Sequence, residues 1–205
     1  METPGTLFDL AAEYTQSSGA NQAPSSRRLL PVTREPNIRA ETGIARSLAL
    51  VHPDLRLVFR RLVTGQAPWP LYLHGPVGTG KTMAALCLLD HVEESYYRTV
   101  SELADNRMAK GTDMDHVGTV RLAVLDEIGA REKVGDLVYE VVKEFADRRE
   151  KWGRVAVYVS NLDVPAMARL FDDRVADRLT CGTLFELTGK SRRRETKDVD
   201  QGRLN

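Results

Sequence analysis

The sequence has few of the features that mark specialised protein classes. It contains only two cysteines, Cys87 and Cys181, among 205 residues, too few for a disulfide-stabilised scaffold or a four-cysteine zinc site. No stretch reaches the roughly 18 apolar residues that a membrane-spanning helix needs, and the first residues lack the pattern of a secretory signal. Neither charge is in excess, because 29 basic residues balance 29 acidic ones. We therefore expect a cytoplasmic protein with no membrane partner, whose contact with any nucleic acid would need a local basic patch.

Length and composition predict one folded domain with tails. Hydrophobic residues make up 42% and charged residues 28% of the chain, which is typical of globular proteins. Residues 1–42 are predicted to be a disordered or partner-binding tail, since prolines and small polar residues follow a short apolar cluster at Leu7–Tyr14. That cluster is either a helix that docks on a partner or a segment that packs on its own domain. We expect the domain to span residues 43–194 and a polar tail to span 195–205.

Short apolar runs alternate with helical patterns along the domain. Five runs predict strands, at 71–74, 96–100, 122–125, 155–159 and 184–187. Helical spacing predicts helices on either side of Pro53 and over 83–94, 134–149 and 164–179, the last being one helix or two. Ser101 is expected to cap a further helix, and the polar stretch Arg107–Gly118 to be a loop. This alternation predicts an α/β fold with a parallel sheet covered on both faces.

A glycine-rich motif follows the first predicted strand. Residues Gly75–Thr82 read GPVGTGKT, a complete G-x-x-x-x-G-K-[ST] motif between a strand and a helix. Its glycines let backbone N–H groups converge on phosphate oxygens, Lys81 is expected to reach the β- and γ-phosphates, and Thr82 to offer its hydroxyl to Mg²⁺. A chance glycine-rich turn is the alternative. The residues predicted to bind the nucleotide here are Gly75, Pro76, Val77, Gly78, Thr79, Gly80, Lys81, Thr82 and Met83.

An acidic pair ends the strand predicted at 122–125. Ligands of open parallel sheets bind beyond the carboxyl ends of the strands, where Asp126 is expected to hold Mg²⁺ through water and Glu127 to act as general base toward a water that attacks ATP. A solvated acidic turn is the alternative. The run Asp126–Gly129 also fits the D-x-x-G of GTPases, but the guanine-reading Asn-Lys-x-Asp motif is missing from the sequence, which argues against a GTPase.

Two later patterns have both a functional and a structural interpretation. Asn161, just after the run at 155–159, is placed either to orient the attacking water or, with Asp163, to cap the next helix. Arg174 and Arg178 lie four residues apart and so share a helix face. They either pair with the acidic residues beside them or act as an arginine finger on the γ-phosphate of a neighbouring subunit.

Taken together, these motifs resemble the AAA+ ATPases of the DnaC/IstB group over about residues 44–194. The likeness rests on five segments: the Walker A motif Gly75–Thr82, the Walker B run Leu122–Gly129, the pair Ser160-Asn161, the run Arg174–Leu179, and Gly189–Arg193, which is similar to a closing G-x-S-x-R. The resemblance implies an AAA+ P-loop core with a five-stranded parallel sheet of order 5-1-4-3-2 and a reduced or absent lid. It further implies that Asn161 is sensor 1, that Arg178 is the finger with Arg174 as second candidate, and that Arg193 is a sensor-2-like nucleotide contact.

The same resemblance implies an ATP- and Mg²⁺-dependent ATPase that forms a homo-oligomer with ATP. Members of the group load a replicative helicase or assist a transposase, and bind single-stranded DNA. Here a tail of some forty residues stands where the loaders have a helicase-binding domain, which leaves the Leu7–Tyr14 cluster as the candidate contact. The basic run Lys190–Arg194 is either part of a DNA surface or a solvated tail. Two other functions stay open, a P-loop small-molecule kinase and an adaptor that binds ATP as a switch without hydrolysing it.

Overall fold

The computed structural model describes Leu30, residues 43–130 and 134–189, and Ser191. The five strands are β1 (Leu71–His74), β2 (Ser95–Thr99), β3 (Leu122–Ile128), β4 (Val155–Ser160) and β5 (Thr183–Glu186). After a 3-10 turn at Leu48–Leu50, the helices are α1 (Pro53–Val63), α2 (Lys81–Asp90), α3 (Val100–Met108), α4 (Asp113–Thr119), α5 (Asp136–Lys151), α6 (Val164–Leu170) and α7 (Asp173–Thr180).

The strands form one parallel sheet in the order β2-β3-β4-β1-β5. This is the predicted order 5-1-4-3-2 counted from the opposite edge, so the expected fold class is confirmed. The order also makes β1, β3 and β4 neighbours in the sheet, and their carboxyl ends meet at one edge, where the Walker motifs lie.

Side chains that alternate along the strands form two core layers. Leu71, Leu73 and Val157 pack with apolar residues of α1 and α2 on one face of the sheet. Tyr72 and Tyr158 pack with residues of α3 to α7 on the other face. Because both faces are covered, β4 is buried along its full length, which explains why its sequence is a continuous apolar run.

The stretch Arg107–Gly118 was expected to be a loop, and this prediction is wrong because residues from Asp113 onward form α4. The helix is short and polar, and tertiary contacts stabilise it. Val117 is fully buried in the core layer that also contains residues of α5, and Asp113 accepts a hydrogen bond from Nε of Arg98 at 2.7 Å. A helix of this kind has too few apolar residues to show its periodicity.

Helix boundaries differ from the prediction in three places. Thr99, and not Ser101, caps α3: its hydroxyl accepts from the Glu102 N–H at 3.2 Å and its own N–H donates to the Glu102 carboxylate at 2.7 Å. This reciprocal pair is a capping box. Of the residues described before Pro53, those from Gly43 onward form a single 3-10 turn and no α-helix. The segment predicted as one or two helices over 164–179 forms two, α6 and α7, with Asp172 as the cap of the second.

The described chain begins with an isolated contact. Leu30 is buried in the same core layer as α1, and its N–H donates to the carbonyl of Val63 at 3.3 Å.

None of the described helices combines the length and the apolar character that a membrane crossing requires.

Candidate nucleotide-binding site

The glycine-rich loop turns sharply between β1 and α2. Gly75, Gly78 and Gly80 have φ values of 137°, 84° and 100°, which side chains other than glycine rarely adopt. A Cβ on Gly75 would lie 2.3 Å from the carbonyl oxygen of Leu187, and one on Gly78 would lie 2.2 Å from Oγ of Ser191. Gly80 is the N-cap of α2. The loop therefore leads into a helix N-terminus, whose free N–H groups favour anions.

Lys81, the first residue of α2, folds back into this loop. Its side chain is buried, and Nζ donates to the carbonyls of Gly75 at 2.7 Å and Pro76 at 2.8 Å. The hydroxyl of Thr79 donates to the same Pro76 carbonyl at 3.0 Å. The ammonium group thus lies inside the curve of the loop, where it offsets the charge of a bound phosphate.

Asp126 lies next to the loop, near the carboxyl end of β3. It is only 2% exposed. Its Oδ1 accepts from the Glu127 N–H at 2.7 Å and its Oδ2 accepts from the Tyr97 hydroxyl at 3.0 Å. Burial raises the pKa of Asp126, while hydrogen bonds from Thr82, Glu127 and Tyr97 and the charge of Lys81 act in the opposite direction. The carboxylate is therefore held by donors on both oxygens beside the Walker A threonine.

Glu127 lies where β3 departs from regular pairing with β4. The register between the two strands shifts between Leu125 and Ile128, and Glu127 itself has a φ of 61° and an exposed side chain. Ser160 holds the two strand ends together, because its hydroxyl donates to the Ile128 carbonyl at 2.7 Å and accepts from the Leu162 N–H at 3.0 Å. The bulge turns Glu127 out of the buried strand toward the open edge of the sheet.

Asn161 follows β4, where it was predicted either to cap the next helix or to orient the attacking water. The cap of α6 is Asp163, whose carboxylate accepts from the Ala166 N–H at 2.8 Å. Asn161 is exposed and lines the cavity beside the loop. Its side chain is therefore available to a ligand in that cavity, in keeping with the other interpretation.

A cavity of about 650 Å³ brings most of the predicted residues together. The predicted residues that line it are Val77, Gly78, Gly80, Lys81, Thr82, Met83, Asp126, Glu127 and Asn161. Gly43, Ile44, Ala45 and Leu50, which precede α1, also line it and were not predicted, and Val159 and Ser160 of β4 form the rest of the wall. A volume of this size suits a nucleotide-sized ligand.

The chemistry of the cavity suits a nucleotide with Mg²⁺. The glycine-lined loop leaves room that a Cβ would fill, and Lys81 supplies positive charge there. The hydroxyl of Thr82 and the carboxylate of Asp126 are oxygen donors, the type that Mg²⁺ prefers. Thr82 is close enough to Asp126 to act on the pKa of its carboxyl group, and both side chains line the same cavity.

Solved structures of known proteins share this arrangement of strands and helices. A crystal structure of the DnaC helicase loader superposes with a TM-score of 0.57 at 18% sequence identity, over 71% of this chain and 94% of that one. The chain has the AAA+ ATPase fold of the DnaC type. DnaI matches this fold with a TM-score of 0.51 at 23% identity, over 60% of this chain and 71% of that one. AMPPCP-bound DnaA from Aquifex aeolicus matches with a TM-score of 0.51 at 17% identity, over 66% of this chain but only 46% of DnaA.

The AAA+ assignment rests on structure, since the sequence matches no protein-family model and no curated protein. The chain spans about half the length of the DnaA structure that it matches. At these identities the likeness establishes the fold alone, and leaves the ligand and the roles of individual residues as predictions.

Five described residues of the predicted site do not line the nucleotide cavity: Gly75, Pro76 and Thr79 of the loop, and the finger candidates Arg174 and Arg178. Arg178 lies near the amino ends of the strands, on the opposite side of the sheet from the carboxyl ends. There it lines a second cavity of about 700 Å³ and forms ion pairs with Asp147 and Glu150. Arg174 is exposed and forms no ion pair with any residue that the structure describes. Neither arginine reaches the phosphate loop of its own chain, so a finger role for either requires a second copy.

Arg193, the predicted sensor-2-like contact, lies outside the residues that the structure describes. Within the basic run Lys190–Arg194, the structure describes Ser191. Ser191 itself packs against Gly78 of the loop. The segment that follows β5 therefore reaches the AAA+ nucleotide cavity two residues before Arg193.

A buried ion pair holds the unpredicted wall of the cavity in place. Nη1 of Arg46 donates to both carboxylate oxygens of Asp90 at 2.8 and 2.7 Å, and the two side chains are 9% and 2% exposed. This pair fastens the segment Gly43–Leu50 to the end of α2. The two residues are 44 positions apart, so no local motif in the sequence could have revealed the contact.

Proposed function

We propose that this chain binds ATP together with Mg²⁺ and hydrolyses the γ-phosphate bond. The observation that supports the proposal is the convergence of Lys81, Thr82, Asp126 and Glu127 on one cavity at the carboxyl edge of the sheet. A phosphate-binding loop, a magnesium-binding hydroxyl and carboxylate, and an adjacent exposed carboxylate are the parts that phosphoryl transfer to water requires.

Each side chain has a defined task in this proposal. Lys81 exchanges its bonds to the loop carbonyls for oxygens of the β- and γ-phosphates. Mg²⁺, when bound, neutralises negative charge on the phosphates. Glu127 accepts a proton from the attacking water at a carboxylate oxygen, and the Asn161 amide orients that water. Asp126 holds its orientation through the donors on its two oxygens.

Hydrolysis is the outcome best supported because an exposed Glu127 follows the buried Asp126. A kinase needs an acceptor site beside the γ-phosphate, and the described residues offer no arginine-rich lid for one. The alternative of a non-hydrolysing switch keeps the same cavity but gives Glu127 no role. Phosphate release in the absence of any acceptor therefore distinguishes hydrolysis from both alternatives.

We further propose that the ATP-bound protein assembles into a homo-oligomer in which an arginine of one copy completes the site of the next. Neither Arg178 nor Arg174 lines the cavity of its own chain, and Arg178 lines a different cavity, which supports this proposal. The structures that share the fold include a helicase loader and DnaA bound to AMPPCP and single-stranded DNA. These structures support a replicative helicase as partner, with single-stranded DNA nearby, whereas a transposase as partner rests on the sequence resemblance alone. Residues 1–42 are the proposed partner-binding segment.

Glu127→Gln tests the catalytic part of the proposal. The variant should bind ATP with unchanged affinity. It should release phosphate more slowly by about 100-fold or by a larger factor, because general bases contribute factors of this size or larger. Glu93→Gln, the same change at an exposed glutamate outside the cavity, is the matched control and should retain wild-type turnover. Unchanged phosphate release from Glu127→Gln would refute its role as base, and absence of release from the wild type would favour the switch.

Lys81→Ala tests the binding part. The variant should lose nucleotide binding, since it removes the one ammonium group that lies inside the loop. A fluorescent ATP analogue provides the measurement, and a circular dichroism melt shows whether the fold is retained. Retained ATP affinity in a folded Lys81→Ala protein would contradict the assignment of the cavity.

Assembly and partner need separate experiments. Specific ATP turnover should rise with protein concentration if sites are completed between copies, and a constant value would exclude a finger in trans. Pull-down of the replicative helicase, and of a transposase, with the full chain and with a chain lacking residues 1–42 tests the segment. Retention of the same partner by both would show that the segment is not the contact.

A further inference from the structure

Tyr97 contacts the Walker B aspartate from the neighbouring strand. It lies in the middle of β2, which pairs with β3 so that Tyr97 is opposite Val124 and Thr99 opposite Asp126. The tyrosine is 8% exposed, and its hydroxyl donates to Oδ2 of Asp126 at 3.0 Å. No residue of β2 lines the nucleotide cavity, so any influence of Tyr97 on a ligand passes through Asp126.

The bond from Tyr97 completes the fixation of the carboxylate. Oδ1 is already held by the Glu127 N–H, which is part of the backbone and cannot rotate away. With the Tyr97 hydroxyl on Oδ2, both oxygens have a fixed donor, and rotation of the carboxylate about its side-chain bonds would break one or both bonds. Thr82 lies near the same carboxylate on the side of the loop, since both side chains line the cavity. The carboxylate is therefore set in one orientation before a ligand binds.

We propose that Tyr97 is a positioning residue for the magnesium site, holding Asp126 in the orientation in which it receives Mg²⁺ bound to ATP. The inference rests on the proposed function, which assigns Asp126 to the metal. Groups that orient a metal-binding side chain typically change metal affinity by about 10- to 100-fold when they are removed. Tyr97 meets that description because it is buried, bonded to Asp126 and outside the cavity.

The competing explanation is that Tyr97 only fills the core. Buried tyrosine hydroxyls usually find a hydrogen-bond partner whatever the site nearby, and Tyr72 provides an example, since its hydroxyl donates to the Leu162 carbonyl at 2.8 Å. A packing role predicts that loss of the hydroxyl lowers stability and affects all ligands alike. A positioning role predicts a loss confined to the response to Mg²⁺.

Tyr97→Phe in the full chain separates the two explanations. The affinity for a fluorescent ATP analogue is measured from excess EDTA through rising Mg²⁺ concentrations. We expect the affinity of the variant in EDTA to equal that of the wild type. The Mg²⁺ concentration that produces half of the full change in ATP-analogue affinity should rise about 10-fold or more. Tyr158→Phe removes another buried hydroxyl, from β4 outside the nucleotide cavity, and should leave the Mg²⁺ response unchanged.

A second series places Tyr97→Phe in an Asp126→Asn background. If the hydroxyl acts through the carboxylate, Tyr97→Phe should cause no further loss of the Mg²⁺ response there. A further loss in that background would overturn the inference, because Tyr97 would then act by another route.

The outcomes also separate this inference from the proposed function. If the ATP affinity of Tyr97→Phe responds to Mg²⁺ as that of the wild type does, the positioning role is overturned and the ATPase proposal stays intact. Equal loss of affinity with EDTA and with Mg²⁺ shows a packing role and also overturns the inference. A wild type that does not respond to Mg²⁺ refutes the magnesium site itself, and the inference with it.

Discussion

Asp90→Asn should strongly destabilise the protein. The substitution keeps the size of the side chain but removes the negative charge that faces the Arg46 guanidinium, in a pair of which the two side chains are 9% and 2% exposed. Breaking a buried pair by removing one partner costs about 3–5 kcal/mol, because the attraction between the two charges is lost while the guanidinium stays largely buried. A cost of about 3 kcal/mol lowers the ratio of folded to unfolded protein by about 100-fold.

Urea denaturation followed by circular dichroism measures this cost. With a slope of about 2 kcal/mol per molar urea, the midpoint should fall by about 1.5 M or more. The double variant Arg46→Met with Asp90→Leu is the matched control and should be more stable than Asp90→Asn, because apolar replacements leave no unpaired charge. A midpoint for Asp90→Asn within about 0.3 M of the wild type would refute the reasoning, since the pair would then contribute no more than an exposed one.

Three further predictions address the cap, the buried arginine and the finger. Thr99→Ala should cost about 1 kcal/mol in urea denaturation because it removes the side-chain half of the capping box, whereas Thr99→Ser should be nearly neutral. Arg149→Met should cost about 3 kcal/mol, since it removes the buried guanidinium that donates to four backbone carbonyls, and a wild-type midpoint would contradict this. Arg178→Ala should lower turnover while ATP affinity is kept, and mixing it with Glu127→Gln protein should restore part of the turnover. Equal loss of affinity and turnover would indicate a structural role, and the same mixing test on Arg174→Ala identifies the finger.

The fold could be predicted from sequence because its signals are local. Each central strand is buried on both faces and is therefore a continuous apolar run, and the phosphate loop has an invariant spacing that places it between β1 and α2. Once the sheet order follows from the resemblance, the carboxyl ends of β3 and β4 must meet beside the loop. This is why Asp126, Glu127 and Asn161 could be assigned to one cavity with Lys81.

The features that were missed depend on contacts between distant parts of the chain. Helix α4 owes its stability to Val117 and to the Asp113–Arg98 pair, neither of which leaves a periodic pattern. Tyr97 appears in the sequence as an ordinary strand residue, and only the register of β2 against β3 brings its hydroxyl to Asp126. The cap of α3 was misplaced by two residues because both Thr99 and Ser101 have the hydroxyl that a cap requires.

The pairing of β1 has a consequence for the order in which the protein can fold during synthesis. Its two neighbours, β4 and β5, both come from the second half of the chain, and the first glycine of the phosphate loop packs against Leu187, which follows β5. A nascent chain that has not yet released β4 and β5 from the ribosome leaves β1 without either partner strand. Pairings between distant segments form late and slowly. The nucleotide can therefore stabilise only a nearly completed domain, and it cannot assist the first steps of folding.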